Sequence, residues 1–152
     1  MNNIIIVPTT DAHLDTIAEI EAKCFTTPWS RQSFAEGLAN TDIYTNFTAL
    51  KDNTVVGYIC LFHLFEEGEL LNVAVSPQHR QQGIAQALLD KAFELMKDRD
   101  VTRMTLEVRT SNISAQSLYT KNGFHPIAIR KNYYTSPTED GIVMEKSLER
   151  TV

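Results

Sequence analysis

The sequence predicts an α/β protein with a mixed central β-sheet of about six to seven strands and about four helices. Three observations carry this expectation. The middle of the chain reads strand, helix, strand, an order that joins a parallel pair by a crossover. Both flanks read as hairpins, which need antiparallel neighbours, so the sheet is mixed. A length of 152 residues with 43% hydrophobic content suffices for one well-buried core, which places residues 1–152 in a single domain.

The elements follow in order. The β-branched run IIIV at 4–7 suits a strand. Thr10 offers an N-cap, and Leu14, Ile17, Ala18 and Phe25 recur at helical spacing up to the breaker Pro28. Ser30 opens a short second helix carrying Phe34 and Leu38, stopped by ANTD. Tyr44 to Phe65 reads as two strands broken at Asp52-Asn53, a hairpin turn. Glu66 to Glu69 reads as another turn, and LLNVAV as a strand ended by Ser76-Pro77. Ala85, Leu88, Leu89, Ala92, Phe93 and Met96 line one face of a helix. VTRMTLEV is the next strand. Ser111 or Asn112 then caps a helix whose left-handed C-terminal position falls at Gly123. Strands at about 124–133 and 142–148 flank the loop TSPTEDG.

Composition excludes several classes of function. A net charge of −5 supplies no basic field for nucleic acid, and suits either a cationic substrate or solubility alone. Cys24 and Cys60 form no Cys-x-x-Cys or Cys/His cluster, so reduced, buried thiols in a cytoplasmic protein are expected. His13, His63, His79 and His125 share no metal spacing, and no metal is expected. No apolar run approaches the roughly 20 residues that span a bilayer, and MNNIIIVPTT carries no basic leader, so no membrane partner is expected.

The stretch HRQQGIAQALL at 79–89 leads from a strand into a helix. The first turn of a helix leaves about four N–H groups without partners, and the helix dipole adds roughly half a positive charge. Gly83 permits close backbone approach, Ala85 keeps the next amides open, and Arg80 can add a charge-assisted contact. These residues point to a phosphate or pyrophosphate. The P-loop and dinucleotide fingerprints are both missing.

LLNVAVSPQHRQQGIAQALL resembles the acetyl-coenzyme A signature of the Gcn5-related N-acetyltransferase (GNAT) superfamily, a strand, a Q/R-x-x-G-x-G/A loop and a long helix. The loop here is Arg80, Gln81, Gln82, Gly83, Ile84, Ala85, with alanine where a second glycine is frequent. The resemblance implies the GNAT fold with splayed central parallel strands, and acetyl-CoA as co-substrate. It also implies a pyrophosphate held by the amides of Gln81 to Gln86, and a pantetheine arm paired with Val73, Ala74 and Val75.

In RMTLEVRTSN, alternation puts Met104, Leu106 and Val108 on one strand face and Thr105, Glu107 and Arg109 on the other. A central parallel strand is covered on both faces, so Glu107 is either a structural ion-pair member or a general base favoured by partial desolvation. From Asn112 to Tyr119 is two helical turns, so both share a side. Tyr119 suits an acid for a departing thiolate, and equally a residue that packs helix on sheet.

LEVRTSNISAQSLYTKNGF, IRKNYY and the earlier CFTTPWS narrow the resemblance to the RimI-type group of bacterial ribosomal-protein-alanine N-acetyltransferases. That resemblance implies Glu107 as base, Tyr119 as acid, Asn112 as a coenzyme A contact, and the N-terminus of a small-subunit ribosomal protein as partner. Trp29, Tyr133 and Tyr134 are candidate peptide contacts, since large amphipathic rings suit polypeptide, although packing explains each as well. Other acceptors (lysine side chains, polyamines, small amines) and a non-catalytic coenzyme A sensor remain alternatives, and a monomer is the expected assembly.

Overall fold

The computed structural model describes residues 3–148. β1 (Ile4–Pro8), β2 (Tyr44–Lys51), β3 (Thr54–Leu64), β4 (Glu67–Val75), β5 (Arg103–Arg109), β6 (His125–Tyr134) and β7 (Glu139–Ser147) form one sheet in the order β1-β2-β3-β4-β5-β7-β6. Among the described residues only β4 and β5 are parallel neighbours, and α3 (Ile84–Asp98) forms their crossover. α4 (Ile113–Lys121) follows β5. No helix among the described residues is long and apolar enough to cross a membrane.

Two cores sandwich the sheet. On one face Ile84, Leu88, Leu89, Ala92 and Met96 of α3, with Tyr119 of α4, pack on Ile59, Leu61, Met104, Leu106 and Val108. On the other, α1 (Leu14–Cys24) and α2 (Arg31–Ala39) bury Leu14, Ile17, Ile20 and Phe34 against Tyr58, Cys60 and Ala74. The expected faces of β5 are thus the observed ones. Ser30 caps α2 by accepting the Ser33 N–H at 3.2 Å, and Asn112 caps α4 by accepting the Ala115 N–H at 3.2 Å. Gly123 follows α4 with φ +94°.

Two boundaries and one burial differ from expectation. Glu67 to Glu69 belong to β4, and the turn is confined to Phe65 and Glu66. Strand geometry wins there because these three residues pair with Arg103 to Thr105 of β5, and Gly68 lies so close under α3 that a Cβ on it would stand 2.8 Å from the Met96 sulfur and oblige that side chain to shift. Gly68 is thus a seat for α3 within the strand. Thr10 precedes a 3₁₀ turn (Asp11–His13) that feeds α1, and its N–H donates to His13 Nδ1 at 3.0 Å. Cys60 is buried as expected, whereas Cys24 at the end of α1 is only half-buried, and both are free thiols.

The loop after β6 is shorter than expected and is tied down. Arg109 at the end of β5 donates to the carbonyls of Thr135 (2.7 Å) and Pro137 (3.0 Å) and to Glu139 (3.0 Å). Glu139 also accepts the Ser111 N–H at 2.7 Å and the Thr110 hydroxyl at 3.1 Å. The bonds from Ser111, and next the Arg109 guanidinium, hold the Glu139 carboxyl down at about 2. A depressed carboxyl stabilises the fold above its ordinary value of 4.5 and loses that contribution as pH falls toward 2. The gap in Tm between wild type and Glu139→Gln should therefore close as pH is lowered through that window, which differential scanning calorimetry reads directly.

Candidate active site

The site begins where the sheet opens. β4 and β5 pair only through Glu67, Gly68 and Glu69 against Arg103, Met104 and Thr105. Immediately beyond, the register of β4 against β3 shifts: Cys60 faces Asn72 and Leu61 faces Leu70, which leaves Leu71 as the extra residue of a β-bulge. A bulge increases local twist and bends its strand, so β4 turns away and a fork opens. Below the fork the ladder is intact, and above it β4 has a partner on one side only.

The phase of β4 in the fork follows from one bond. The Ser76 N–H donates to Val56 O at 2.8 Å, and Gly57 lies opposite Val75. In an antiparallel ladder, groups pair with the neighbour at every second residue, so Ala74 and Asn72 also face β3. Val73 and Val75 therefore turn their N–H and C=O into the fork, while the Ala74 backbone is committed to the sheet. The Val75 carbonyl already accepts the Cys24 thiol at 3.6 Å.

At the wide end lies the loop that leads into α3. Gly83 adopts φ +79°, and a Cβ placed on it would meet nothing within 4 Å, so the space above the backbone is open. The first intrahelical bond runs from Ala87 N–H to Gly83 O at 3.0 Å, and the amides of Ile84, Ala85 and Gln86 precede it. Loop side chains are engaged with protein rather than aimed into that space. Gln82 accepts from Lys51 Nζ at 2.9 Å, and Gln86 exchanges hydrogen bonds with Asn122 at 2.7 and 2.9 Å. Gln81 takes φ +62°, which turns the backbone sharply, and the exposed Arg80 guanidinium lies 3.4 Å from the Cys24 sulfur. Backbone amides at a helix N-terminus, an open concavity and a nearby arginine fit a pyrophosphate.

At the narrow end lies Glu107, one turn of pleat beyond the last β5 residue paired to β4. Arg130 Nε approaches its Oε2 to 3.3 Å, yet Oε2 is buried and receives no aligned hydrogen bond, which leaves a lone pair available. The Tyr133 hydroxyl is pushed up by its hydrogen bond to the Glu107 carboxylate and by burial. Tyr134 is pushed up to about 12, by burial first and by Glu107 next, and its ring lies 4.6 Å below the Arg109 guanidinium. A register shift between Arg130 and Tyr134 re-aims this segment of β6. Glu69 is raised by burial and by the neighbouring Glu107 charge, with Arg130 opposing.

Tyr119 is buried with its ring 5.9 Å from Phe124, and its phenol is pushed up to about 12 by burial and then by Tyr134. Asn112 at the start of the same helix is exposed, with its side-chain oxygen used in the cap. Trp29 packs its ring 5.4 Å from Phe34 and lines a cleft of about 340 Å³ with Glu36, Tyr44, Cys60 and Leu71. Since Leu71 is the bulged residue, this cleft adjoins the fork from the α1–α2 side.

Sequence reasoning missed two participants. Arg130, beside Glu107, lies in IRKNYY, where the sequence pattern assigns it no role. Glu21 is 1% exposed and accepts from Asn72 Nδ2 (2.6 Å), the Trp29 N–H (2.9 Å) and the Tyr58 hydroxyl. The signal for Glu21 was present, because residues 14, 17 and 21 share one helical face and the carboxylate falls on the apolar stripe.

Comparison with known proteins agrees with this geometry. The sequence pattern of the acetyltransferase (GNAT) family matches residues 14–124. The [ribosomal protein bS18]-alanine N-acetyltransferase of Escherichia coli (strain K12) is 35% identical over 146 residues, covering 95% of this chain and 96% of its own. A Bacillus subtilis (strain 168) protein that carries the same description provisionally is 39% identical over 131 residues, 86% of this chain and 87% of its own. The crystal structure of the ribosomal-protein-S18-alanine N-acetyltransferase from Escherichia coli superposes with a TM-score of 0.89 at 30% identity, covering 98% of this chain and 96% of that one. With the fork, the amide loop and a family match over most of its length, the chain belongs to the acetyltransferase (GNAT) family.

Proposed function

We propose that this protein acts as one domain over residues 1–152 and transfers the acetyl group of acetyl-CoA to the α-amine of the N-terminal alanine of ribosomal protein bS18. The observation that carries the reading is the fork itself. It has an amide cradle at its wide end, a carboxylate with an unengaged lone pair at its narrow end, and relatives of named bS18 specificity along nearly all of the chain.

The amides following Gly83, from Ile84 to Gln86, with the backbone of Gln81 and Gln82, take the pyrophosphate, and Arg80 adds charge. Val73 and the Val75 N–H pair with the donor arm; Ala74 does not, because its backbone belongs to β3. Asn112 faces the donor from the start of α4. The acceptor amine enters from the side of Trp29, Tyr133 and Tyr134. Glu107 removes one proton from the ammonium, directly or through water, and the neutral amine attacks the thioester carbonyl. The Val73 N–H stabilises the oxyanion as the C–N bond forms. When the C–S bond breaks, Tyr119 gives a proton to the sulfur, and the attached nitrogen, which still carries two protons, releases one to solvent as the amide forms. The proton held by Glu107 is returned to Tyr119 through solvent, so of the two protons the ammonium loses one ends on the thiol and one in solvent.

The deciding experiment offers the protein acetyl-CoA and two synthetic peptides, one with the free N-terminal sequence of bS18 and one blocked at that end but carrying a lysine. Mass spectrometry should find one acetyl group on the free alanine. Acetylation of the blocked peptide alone would overturn the reading. Independently, Gly83→Ala forces a side chain into left-handed backbone at a cost of about 1 kcal/mol. It also places a methyl group where the phosphates approach, so calorimetric titration should show the Kd for coenzyme A rising about 10-fold.

A further inference from the structure

Glu21 lies outside the reaction just described, yet it touches both of its halves. It projects from the inner face of α1 and accepts three hydrogen bonds from three different segments. The Tyr58 hydroxyl comes from β3, the Asn72 amide from β4, and the Trp29 N–H from the link between α1 and α2. All three donors are neutral, and among the described residues no cation pairs with this carboxylate, which is 1% exposed. Such a group holds its donors firmly, since releasing any of them leaves a buried charge short of a partner.

The identity of the donors gives this firmness its meaning. Asn72 stands between the bulged Leu71 and Val73, so fixing its side chain fixes the roll of β4 at the point where Val73 turns its N–H into the fork. Trp29 stands in the segment that bounds the acceptor cleft, and its backbone is anchored by the second oxygen of the same carboxylate. We infer that Glu21 is a positioning residue that couples the donor strand to the acceptor segment, so that the oxyanion-binding N–H and the wall against which the peptide lies are set by one carboxylate. The inference rests on the fork being the donor site and on Trp29 facing the acceptor.

Trp29 is the one tryptophan of the chain, so its fluorescence reports on the acceptor segment alone. Coenzyme A titrated into the wild type is expected to change Trp29 emission although no acceptor is present. In Glu21→Gln the amide nitrogen is itself a donor and must face at least one of the three donors, which breaks that bond. The Trp29 response to coenzyme A should fall at least about threefold and the KM for the bS18 peptide rise about 10-fold, as expected for loss of one charge-assisted bond. The Kd for coenzyme A should stay within about threefold.

Asn72→Ala cuts the link from the strand end only. It should leave the emission of the unliganded protein as in wild type while weakening the response to coenzyme A, and it carries the test by itself should Glu21→Gln not fold. A wild-type protein whose Trp29 ignores coenzyme A overturns the inference. So do variants with wild-type response and wild-type peptide KM, and so does a uniform loss of all three quantities in proportion to the folded fraction. Failure of the bS18 peptide as acceptor, with the Trp29 response intact, would instead sink the assignment of the acceptor and leave the coupling standing.

Discussion

Glu107→Gln is expected to lower kcat by about 10²-fold or more while the Kd for coenzyme A stays within about threefold of wild type. The amide has the volume of the carboxylate, and the opposite face of β5, where Met104, Leu106 and Val108 are packed in the core, is untouched by the change. What disappears is a basic lone pair at the narrow end of the fork, on an oxygen that in the native protein is buried and free of aligned donors. The ion pair with Arg130 disappears too, but that side chain is more than half exposed, so water takes over its charge at small cost. Single-turnover measurement of peptide acetylation separates this loss from binding. Turnover at the wild-type rate would show that the amine loses its proton elsewhere.

The placement of Glu107 was legible in the sequence because strand alternation is a local rule: once Met104 and Leu106 are assigned to the core, Glu107 has no choice of face. The same holds for Ser30 and Asn112, whose capping bonds span three residues. The fork was legible only through family resemblance, since it depends on a bulge at Leu71, and nothing in LLNVAV marks which residue lacks a partner. Glu67 to Glu69 show the converse failure. Their local chemistry favours a turn, and they form a strand because α3 and β5 supply contacts that residues 66–69 do not encode. Arg130 and Glu69 converge on Glu107 from β6 and β4, far apart in sequence, with a register irregularity in between. Clusters of that kind arise from topology, and local periodicity cannot reveal them.

Tyr119→Phe should also cost about 10²-fold in kcat, and here the structure makes the cause separable. The Tyr119 ring is part of the core and packs edge-on against Phe124, an arrangement that phenylalanine reproduces. Tm should therefore move by no more than a few degrees. With the phenol pushed up to about 12, the acid form is present throughout the neutral range and is lost only as pH rises through that value. Wild-type kcat should accordingly show no alkaline fall attributable to Tyr119 below about pH 11, one unit short of that point. A thiolate, whose thiol ordinarily titrates at about 8.5, is a weaker base than the Tyr119 phenolate, so the proton moves to the sulfur only in concert with C–S cleavage and with resupply from Glu107 through solvent. The penalty for removing it should then shrink when the donor is a thioester of a more acidic thiol, because that leaving group departs without a proton. A deficit that stays at about 10²-fold with such a donor would mean that Tyr119 shapes the site instead of protonating the sulfur, and wild-type turnover in the variant would remove it from the reaction altogether.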